Sequence, residues 1–285
     1  MKTTQNSDTF HPQSYDLVVI GAGPAGTCGA NTAAIFGHRV ALVEKEAHIG
    51  GAGINSGTVP SKTLRETALA LSGWQSRKLF GVDLSLRREA TIADFTRHQD
   101  NVTAGERRSI ESRLEQNGVD RFQGTAHFVD PHTLRITRGN DSEVHLRGEK
   151  ILVATGSSPW RPPEFPFEDE RVHDSDQLLQ IRALPKRLVV IGAGVIGSEY
   201  ACTFAAMNVE VHLVDGRDTL LPFLDSEVSR VLAEAMAGNG IRFHWQERAT
   251  DCDVSDPAEV RVTLTSGATL ACDGLLGCAG RSSRA

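Results

Sequence analysis

No run of roughly 18 or more apolar residues occurs anywhere in this 285-residue chain, so nothing in it reads as a membrane span. Basic charge is not in surplus: 30 Lys and Arg stand against 36 Asp and Glu, a formal net charge of −6. That balance argues against a nucleic-acid partner, which requires clustered Lys and Arg. Met1 to Ser14 is polar and has no apolar stretch of the kind a secretory signal carries. It is expected to be a disordered tail, and the chain is expected to stay in the cytoplasm. The five cysteines, Cys28, Cys202, Cys252, Cys272 and Cys278, include no C-x-x-C or C-x4-C pair. Reduced, mostly buried thiols are the expectation. No His/Cys cluster has metal-ligand spacing, so no metal is expected. What is left is a soluble globular chain with room for about two domains at roughly 100–200 residues each.

What the chain does contain is a repeated hexapeptide. Val-Val-Ile-Gly-Ala-Gly occurs at Val18–Gly23 and again at Val189–Gly194. Each copy runs into the third glycine of a G-x-G-x-x-G pattern: Gly21, Gly23 and Gly26, then Gly192, Gly194 and Gly197. An acidic residue follows the first glycine of each pattern at the same distance of 23 residues, Glu44 in one case and Asp215 in the other. One such pattern is weak evidence of anything. Two with equal spacing predict two bound dinucleotides, and electron transfer between them.

Around these motifs the pattern reads strand, loop, helix, strand. Tyr15–Ile20 reads as a buried strand, Pro24–Gly37 as a helix stopped by glycine, and Arg39–Glu44 as the next strand. Ser61–Gly73 and Ile92–Asn117 read as helices, the second with a solvated face bearing Arg97, Asp100, Arg107, Arg108, Glu111 and Glu115. From Val119 to Val153 a small antiparallel meander is expected, turning at Asp130-Pro131 and Gly139-Asn140 and returning to a central strand at Lys150–Ala154. Five prolines between Ser157 and Lys186 mark a linker. Arg187–Ile191, Val195–Met207 and Glu210–Asp215 then repeat the strand–helix–strand unit. Ser226–Asn239 reads as a helix, Ile241–Trp245 as a strand, and the rest to Cys278 as a meander around Ser266-Gly267. The expected fold is α/β: two Rossmann-like dinucleotide-binding domains of a three-layer ββα type, the second inserted into the first. The expected boundaries are 1–14 for the tail, 15–156 for the first domain, 157–186 for the linker and 187–281 for the second domain.

The chemistry of each position follows from its residue type. The first glycine permits a turn with positive φ, the second lets backbone approach a pyrophosphate, and the third lets helix pack close on strand. The helix N-terminus adds free N–H groups and the positive end of its dipole. The acid at the end of the second strand accepts hydrogen bonds from ribose hydroxyls, so Glu44 is assigned to the first nucleotide and Asp215 to the second. A carboxylate at Asp215 repels a 2′-phosphate and favours NAD(H), yet Arg217 two residues on could turn onto such a phosphate. Both NAD(H) and NADP(H) stay open.

Gly50–Lys62 reads Gly-Gly-Ala-Gly-Ile-Asn-Ser-Gly-Thr-Val-Pro-Ser-Lys. It resembles the G-G-x-C-x-N-x-G-C-x-P-S-K stretch of the flavoprotein disulfide reductase superfamily, with Gly53 and Thr58 where that family has its redox cysteines. Thr58-Val-Pro-Ser-Lys-Thr-Leu-Arg-Glu resembles one branch closely, the soluble pyridine nucleotide transhydrogenases. That branch keeps a lone cysteine at the first position, from which Gly53 departs. Further matches run in family order: Gly124-Thr125-Ala126-His127-Phe128 beside the adenine, Ala154-Thr155-Gly156-Ser157 over the flavin nucleotide, Asp174-Ser175-Asp176 at the crossover, Gly197-Ser198-Glu199-Tyr200, and Gly280-Arg281.

The resemblance implies FAD in the first domain and NAD(H) or NADP(H) in the second. It implies cofactor contacts at Gly21, Gly23, Gly26, Glu44, Lys45, Gly51, Thr58, Lys62, Ala126, Ala154, Thr155 and Gly156. In the second domain it implies them at Gly192, Gly194, Val195, Ile196, Gly197, Glu199, Asp215, Arg217 and Gly280. Lys62 and Glu199 match an ion pair at the flavin, and with Thr58 they are the candidate catalytic residues. The implied activity is hydride transfer between NADPH and NAD+ through flavin, without a redox disulfide. The alternatives are an NAD(P)H diaphorase or quinone reductase, and a nucleotide-binding module without turnover. Family members continue past the Gly-Arg turn into a second flavin segment and a dimerisation domain, so a C-terminally truncated member is the expectation here.

Overall fold

The computed structural model describes residues 12–71, 92–139, 142–181 and 183–283. They form two compact units: residues 12–55 with 104–156, and residues 56–71 and 92–103 with 157–283. Residues 1–11 of the expected tail, Ser72-Gly73 of an expected helix, Asn140 of an expected turn, Arg182 of the expected linker and Arg284-Ala285 lie outside the described residues.

The first unit opens with β1 (Gln13–Ile20), α1 (Pro24–Ile35), β2 (Val40–Glu44) and the short α2 (Gly51–Asn55). The β-branched run of β1 favours an extended chain, and Pro24 at the first turn of α1 lacks only an N–H that has no partner there anyway. After α3 (Thr58–Leu71), which belongs to the second unit, comes α4 (Ile92–Gln116), whose second half from Ala104 joins the first. The strands β3 (Asp120–Gln123), β4 (Thr125–Asp130), β5 (Thr133–Thr137) and β6 (Glu143–Val153) complete a six-stranded sheet in the order β3-β2-β1-β6-β5-β4.

Four of these strands are parallel: β1 pairs β2 through Leu17↔Val40 and β6 through Leu17↔Lys150, and β2 pairs β3 through Ala41↔Asp120. Alternation along β1 and β2 sends Val19 and Leu42 into a core with Ala30 of α1 and Ile110 and Leu114 of α4. Val18, Ala41 and Val43 point to the other face, against Leu134, Ile136 and Leu146 of the antiparallel arm. Each valine, leucine or isoleucine among them, once fully buried, contributes about 1.5–3 kcal/mol.

Three expectations are corrected here. Gln13 and Ser14 are already in β1, paired to Leu146 and Arg147. The expected meander from Val119 is shorter, because β3 joins the central sheet in parallel while only β4, β5 and the start of β6 run antiparallel. Short strands of four or five residues carry too little periodicity to reveal their partner. On the expected solvated face of α4, Arg107 is part-buried and donates from Nε to Asn55 Oδ1 at 2.7 Å, tying α4 to α2.

The second unit has a five-stranded parallel sheet in the order β11-β10-β9-β15-β8. Its strands are β8 (Val172–Asp174), β9 (Arg187–Ile191), β10 (Glu210–Asp215), β11 (Arg242–Trp245) and β15 (Gly274–Gly277). Helices α5 (Val195–Ala206) and α6 (Ser226–Gly238) cover one face, where Leu188, Val190, Val211, Leu213 and Leu276 meet Phe204 and Met236. The antiparallel β12 (Ala249–Asp253), β13 (Val260–Leu264) and β14 (Thr269–Cys272) cover the other, where Val189, Val214 and Leu275 meet Val260, Val262 and Cys272. This is a helix–sheet–sheet sandwich, the expected three layers. Two short strands, β7 (Ser157–Pro159) and β16 (Arg281–Ser283), pair antiparallel.

The stretch read as a linker is structured within this unit. β8 forms the sheet edge beside β15, and Phe165, Phe167, Leu178 and Leu179 are buried between the prolines. Proline blocks long elements but not a three-residue edge strand. Gly274–Gly277, expected in the closing meander, is instead a parallel strand between β9 and β8. Among the described residues no helix is long and apolar enough to cross a membrane, and no group of three His, Cys, Asp or Glu could hold a metal ion.

Candidate functional site

The two glycine loops are the same object built twice. Gly21 has φ +102° and Gly192 φ +104°. A Cβ at Gly21 would lie 2.4 Å from the Ala154 carbonyl oxygen, and one at Gly192 would lie 2.5 Å from that of Cys278. The third glycines bind helix to loop: a Cβ on Gly26 would fall 1.8 Å from Gly21 O, and one on Gly197 1.9 Å from Gly192 O. Gly23 and Gly194 cap α1 and α5 in extended conformation, ψ −177° and −176°, with no side-chain cap on either helix. A Cβ on Gly194 would meet nothing within 4 Å, and one on Gly23 only Gly51 Cα at 3.8 Å. The middle glycine of each loop is therefore not required by the fold itself. It leaves open space at a helix N-terminus whose first N–H groups are free for an anion.

The acids at the ends of β2 and β10 are also duplicated. Glu44 Oε2 accepts the Ala22 N–H at 2.7 Å, and Asp215 Oδ2 accepts the Ala193 N–H at 2.7 Å. Each carboxylate thus holds the middle of its own glycine loop, and Glu44 keeps oxygen lone pairs for a hydroxyl donor. Glu44 also takes the Glu46 N–H at 3.0 Å, while Lys45 is exposed and reaches Glu46 at 4.0 Å. Asp215 is engaged further. Arg217 donates from its backbone N at 2.9 Å, and its Nε and Nη2 grip both oxygens at 2.8 and 2.7 Å. Burial alone would raise the Asp215 pKa, but the Arg217 guanidinium and the N–H groups of Arg217 and Ala193 outweigh it and hold it below the usual carboxylate value.

The other expected residues of the first unit surround its loop. Ala154, Thr155 and Gly156 (φ +74°) follow β6, with the Ala154 N–H on Ile20 O at 2.8 Å. Gly124 donates to Glu44 O at 2.8 Å, and Ala126 leans on the core beneath β4. Gly51 (φ +53°) starts α2 so close to α1 that a Cβ would lie 2.7 Å from Gly23 Cα. Gly53 is bound the same way: its Cβ would be 2.7 Å from Pro24 Cγ. All five cysteines are free.

In the second unit Thr58 is exposed at the start of α3, and Ser61 and Lys62 follow on its first turns. Lys62 Nζ lies 3.3 Å from Glu199 Oε1, which also accepts from Ser61 Oγ at 3.3 Å. The pair expected from the sequence is thus brought together across α3 and α5. Val195 and Ile196 form the first turn of α5, Val195 largely exposed. Gly280 (φ +114°) accepts the Trp160 N–H at 2.9 Å. Arg281 then bonds Ser157 O at 2.9 Å and Asp176 Oδ1 at 3.2 Å, while the buried Asp174 pairs with Arg161 at 2.7 Å.

Sequence reasoning passed over Cys278. It takes in the second loop the place that Ala154 takes in the first, with its N–H on Ile191 O at 2.8 Å. The signal was available: Cys278-Ala279-Gly280, like Ala154-Thr155-Gly156, is two small residues and a glycine after an apolar strand. Burial pushes the Cys278 thiol up to about 12, which disfavours the thiolate.

Two sheets with parallel cores, each ending in a glycine loop held by a carboxylate at a helix N-terminus, define a protein with paired dinucleotide folds. The sequence model for "Pyridine nucleotide-disulphide oxidoreductase" matches residues 15–285, and the chain belongs to that family. FAD and NAD(P)H are the cofactors of the family. Among curated relatives, the soluble pyridine nucleotide transhydrogenase of Mycobacterium tuberculosis is 38% identical over 270 residues, which is 94% of this chain and 58% of the relative. That of Pseudomonas fluorescens is 36% identical over 269 residues, again 94% and 58%. Among solved structures, LpdA from Mycobacterium tuberculosis superposes with a TM-score of 0.86 at 27% identity, covering 95% of this chain and 59% of its own. The HOCl-induced flavoprotein disulfide reductase RclA from Escherichia coli gives 0.80 at 28% identity, covering 94% and 57%. The chain spans about 58% of the length of the curated relatives it matches.

Proposed function

We propose that this chain forms the nucleotide-binding part of a FAD-dependent pyridine nucleotide transhydrogenase, which moves hydride from NADPH to NAD+ without a redox disulfide. The observation that carries this reading is the duplicated cradle: two loops with matching glycine geometry, each backed by a carboxylate on the loop N–H. Glycine at position 53 and threonine at position 58, with every cysteine free, argue for direct nucleotide-to-nucleotide transfer rather than a dithiol relay. The free thiols also favour the cytoplasm.

The residues present fit both groups. At each loop the open space over the middle glycine and the uncapped helix N-terminus suit a pyrophosphate. In the first unit Gly21, Gly23, Gly26, Gly51, Ala154, Thr155 and Gly156 would frame the flavin nucleotide, and Glu44 would take its ribose. In the second, Gly192, Gly194, Val195, Ile196 and Gly197 would hold the nicotinamide nucleotide, with Asp215 on a ribose hydroxyl pair. Bound flavin supplies the site that accepts and returns the hydride. Lys62 and Glu199 form the candidate charged pair for the hydride step, an ion pair at 3.3 Å. The net reaction, NADPH + NAD+ → NADP+ + NADH, moves one hydride and no net proton.

The test is stopped-flow spectroscopy of the FAD-loaded protein. NADPH should bleach the flavin, and NAD+ should restore its colour as NADH appears. A reduced flavin that ignores NAD+ yet reacts with a quinone would replace this reading with a quinone reductase. A colourless protein that binds nucleotide without turnover would replace it with a binding module.

A further inference from the structure

Asp215 poses a problem for any nucleotide bearing a 2′-phosphate, because its carboxylate stands where that phosphate would be repelled. Arg217 does not solve it alone. Its backbone N, Nε and Nη2 are all committed to Asp215, and the ion pair leaves no net positive charge. A second arginine stands beside the pair. Arg248 lies against Gly216, the residue between Asp215 and Arg217: an ideal Cβ on Gly216 would be 2.9 Å from Arg248 Nε and 3.6 Å from its Cζ. The absent side chain at position 216 leaves that space to Arg248, and a methyl there would push its guanidinium aside.

The backbone keeps Arg248 in register. Gln246 N donates to Arg217 O at 3.0 Å and Glu247 N to Asp215 O at 3.2 Å, so the turn after β11 is stitched to the turn after β10. Arg248 itself bonds Thr265 through its main chain. The nearest acid in sequence, Glu247, is spent elsewhere, accepting from Thr265 Oγ1 at 2.5 Å and Ser266 N at 3.0 Å. Among the described residues the Arg248 guanidinium has no hydrogen-bond or ion-pair partner. It is exposed and carries the fork of donors that phosphate accepts.

We propose that Arg248 is the residue that admits the 2′-phosphate of NADP(H), with Arg217 neutralising Asp215 and Gly216 making the room. NAD(H) has only hydroxyls at that ribose, brings no phosphate charge to be matched, and does not need Arg248. This division explains how one site with an acid at the end of its second strand can serve both nucleotides. It rests on the reading of the second unit as a nicotinamide-nucleotide site but not on transhydrogenase turnover.

The experiment is calorimetric titration of the chain with NADP+ and NAD+, together with 2′,5′-ADP and ADP as adenine-side probes. Arg248→Met should weaken NADP+ and 2′,5′-ADP by about tenfold or more, the worth of a lost charge-assisted contact, and leave NAD+ and ADP within about twofold. Gly216→Ala should give the same selective loss with the charge retained, because its methyl displaces the guanidinium. Equal loss for both nucleotides, or unchanged NADP+ affinity in either variant, would overturn the assignment. Since neither flavin nor turnover enters the titration, a failed hydride transfer leaves this result readable by itself.

Discussion

Replacing Asp215 with asparagine isolates what the acid does for the fold from what it does for a ligand. The carboxylate takes four donors, two on each oxygen: the Ala193 N–H with Arg217 Nη2, and the Arg217 N–H with its Nε. Asparagine keeps one oxygen and turns the other into an NH2 group, which faces two donors. If the Ala193 N–H is the one orphaned, the cost is about 1–3 kcal/mol, since that contact is buried. The ion pair adds less than about 1 kcal/mol, because the Arg217 side chain is 46% exposed and solvent screens it. The sum is roughly 1–4 kcal/mol, or a fall in Tm of roughly 2–16 °C for a unit of this size. The effect has a sign in pH. Asp215 has a depressed folded-state pKa, so its contribution is fully present above the unfolded value of about 3.9 and is lost as pH falls through the lower folded value. Thermal unfolding of the parent chain and Asp215→Asn at pH 7 should therefore show a gap that narrows below about pH 4. A gap absent at pH 7, or one that stays constant into acid, would refute the claim that the carboxylate organises its own loop.

The two kinds of glycine separate cleanly. Gly194→Ala, with nothing within 4 Å of its Cβ, should leave Tm unchanged and abolish nucleotide binding, whereas Gly197→Ala, at 1.9 Å from Gly192 O, should unfold or severely destabilise the second unit in a denaturant titration. Gly53→Cys should cost about 1–3 kcal/mol, because a Cβ there meets the Pro24 ring at 2.7 Å, and Gly53→Ala should cost the same. A Gly53→Cys protein as stable as its parent would show that α2 has slack. Lys62→Met should change stability by less than about 1 kcal/mol, the side chain being 60% exposed, while slowing flavin reduction by NADPH in rapid mixing. An unchanged rate would remove Lys62 from the hydride step.

How far the sequence could be read depended on the range of each constraint. The third glycines answer to the first glycine of their own loop, and Gly21 and Gly192 to their own positive φ, so their spacing alone announces the loop. Glu44 and Asp215 could be singled out, for the same reason, as the acids at the ends of β2 and β10. Their grip on Ala22 and Ala193 could not, because a backbone N–H carries no residue signature. Cys278 against Gly192 and Arg248 over Gly216 are contacts between distant segments, which only folding brings together. β8, β3 and β15 escaped notice because three or four residues hold no readable period, and a parallel partner leaves no turn to mark it.

By itself the sequence determined that two dinucleotide loops exist, where each begins, which acid follows it, and that glycine and threonine, not cysteine, stand at positions 53 and 58. Those facts live in local sterics and in residue chemistry, which a linear chain displays. The tertiary structure decided the rest. It made the proline-rich stretch a sheet edge and brought Lys62 to Glu199. It locked Arg217 onto Asp215, and it set Arg248 over a glycine whose missing side chain leaves the room for it. Those outcomes depend on which distant segments the sheet order brings side by side, and residue spacing does not encode that order.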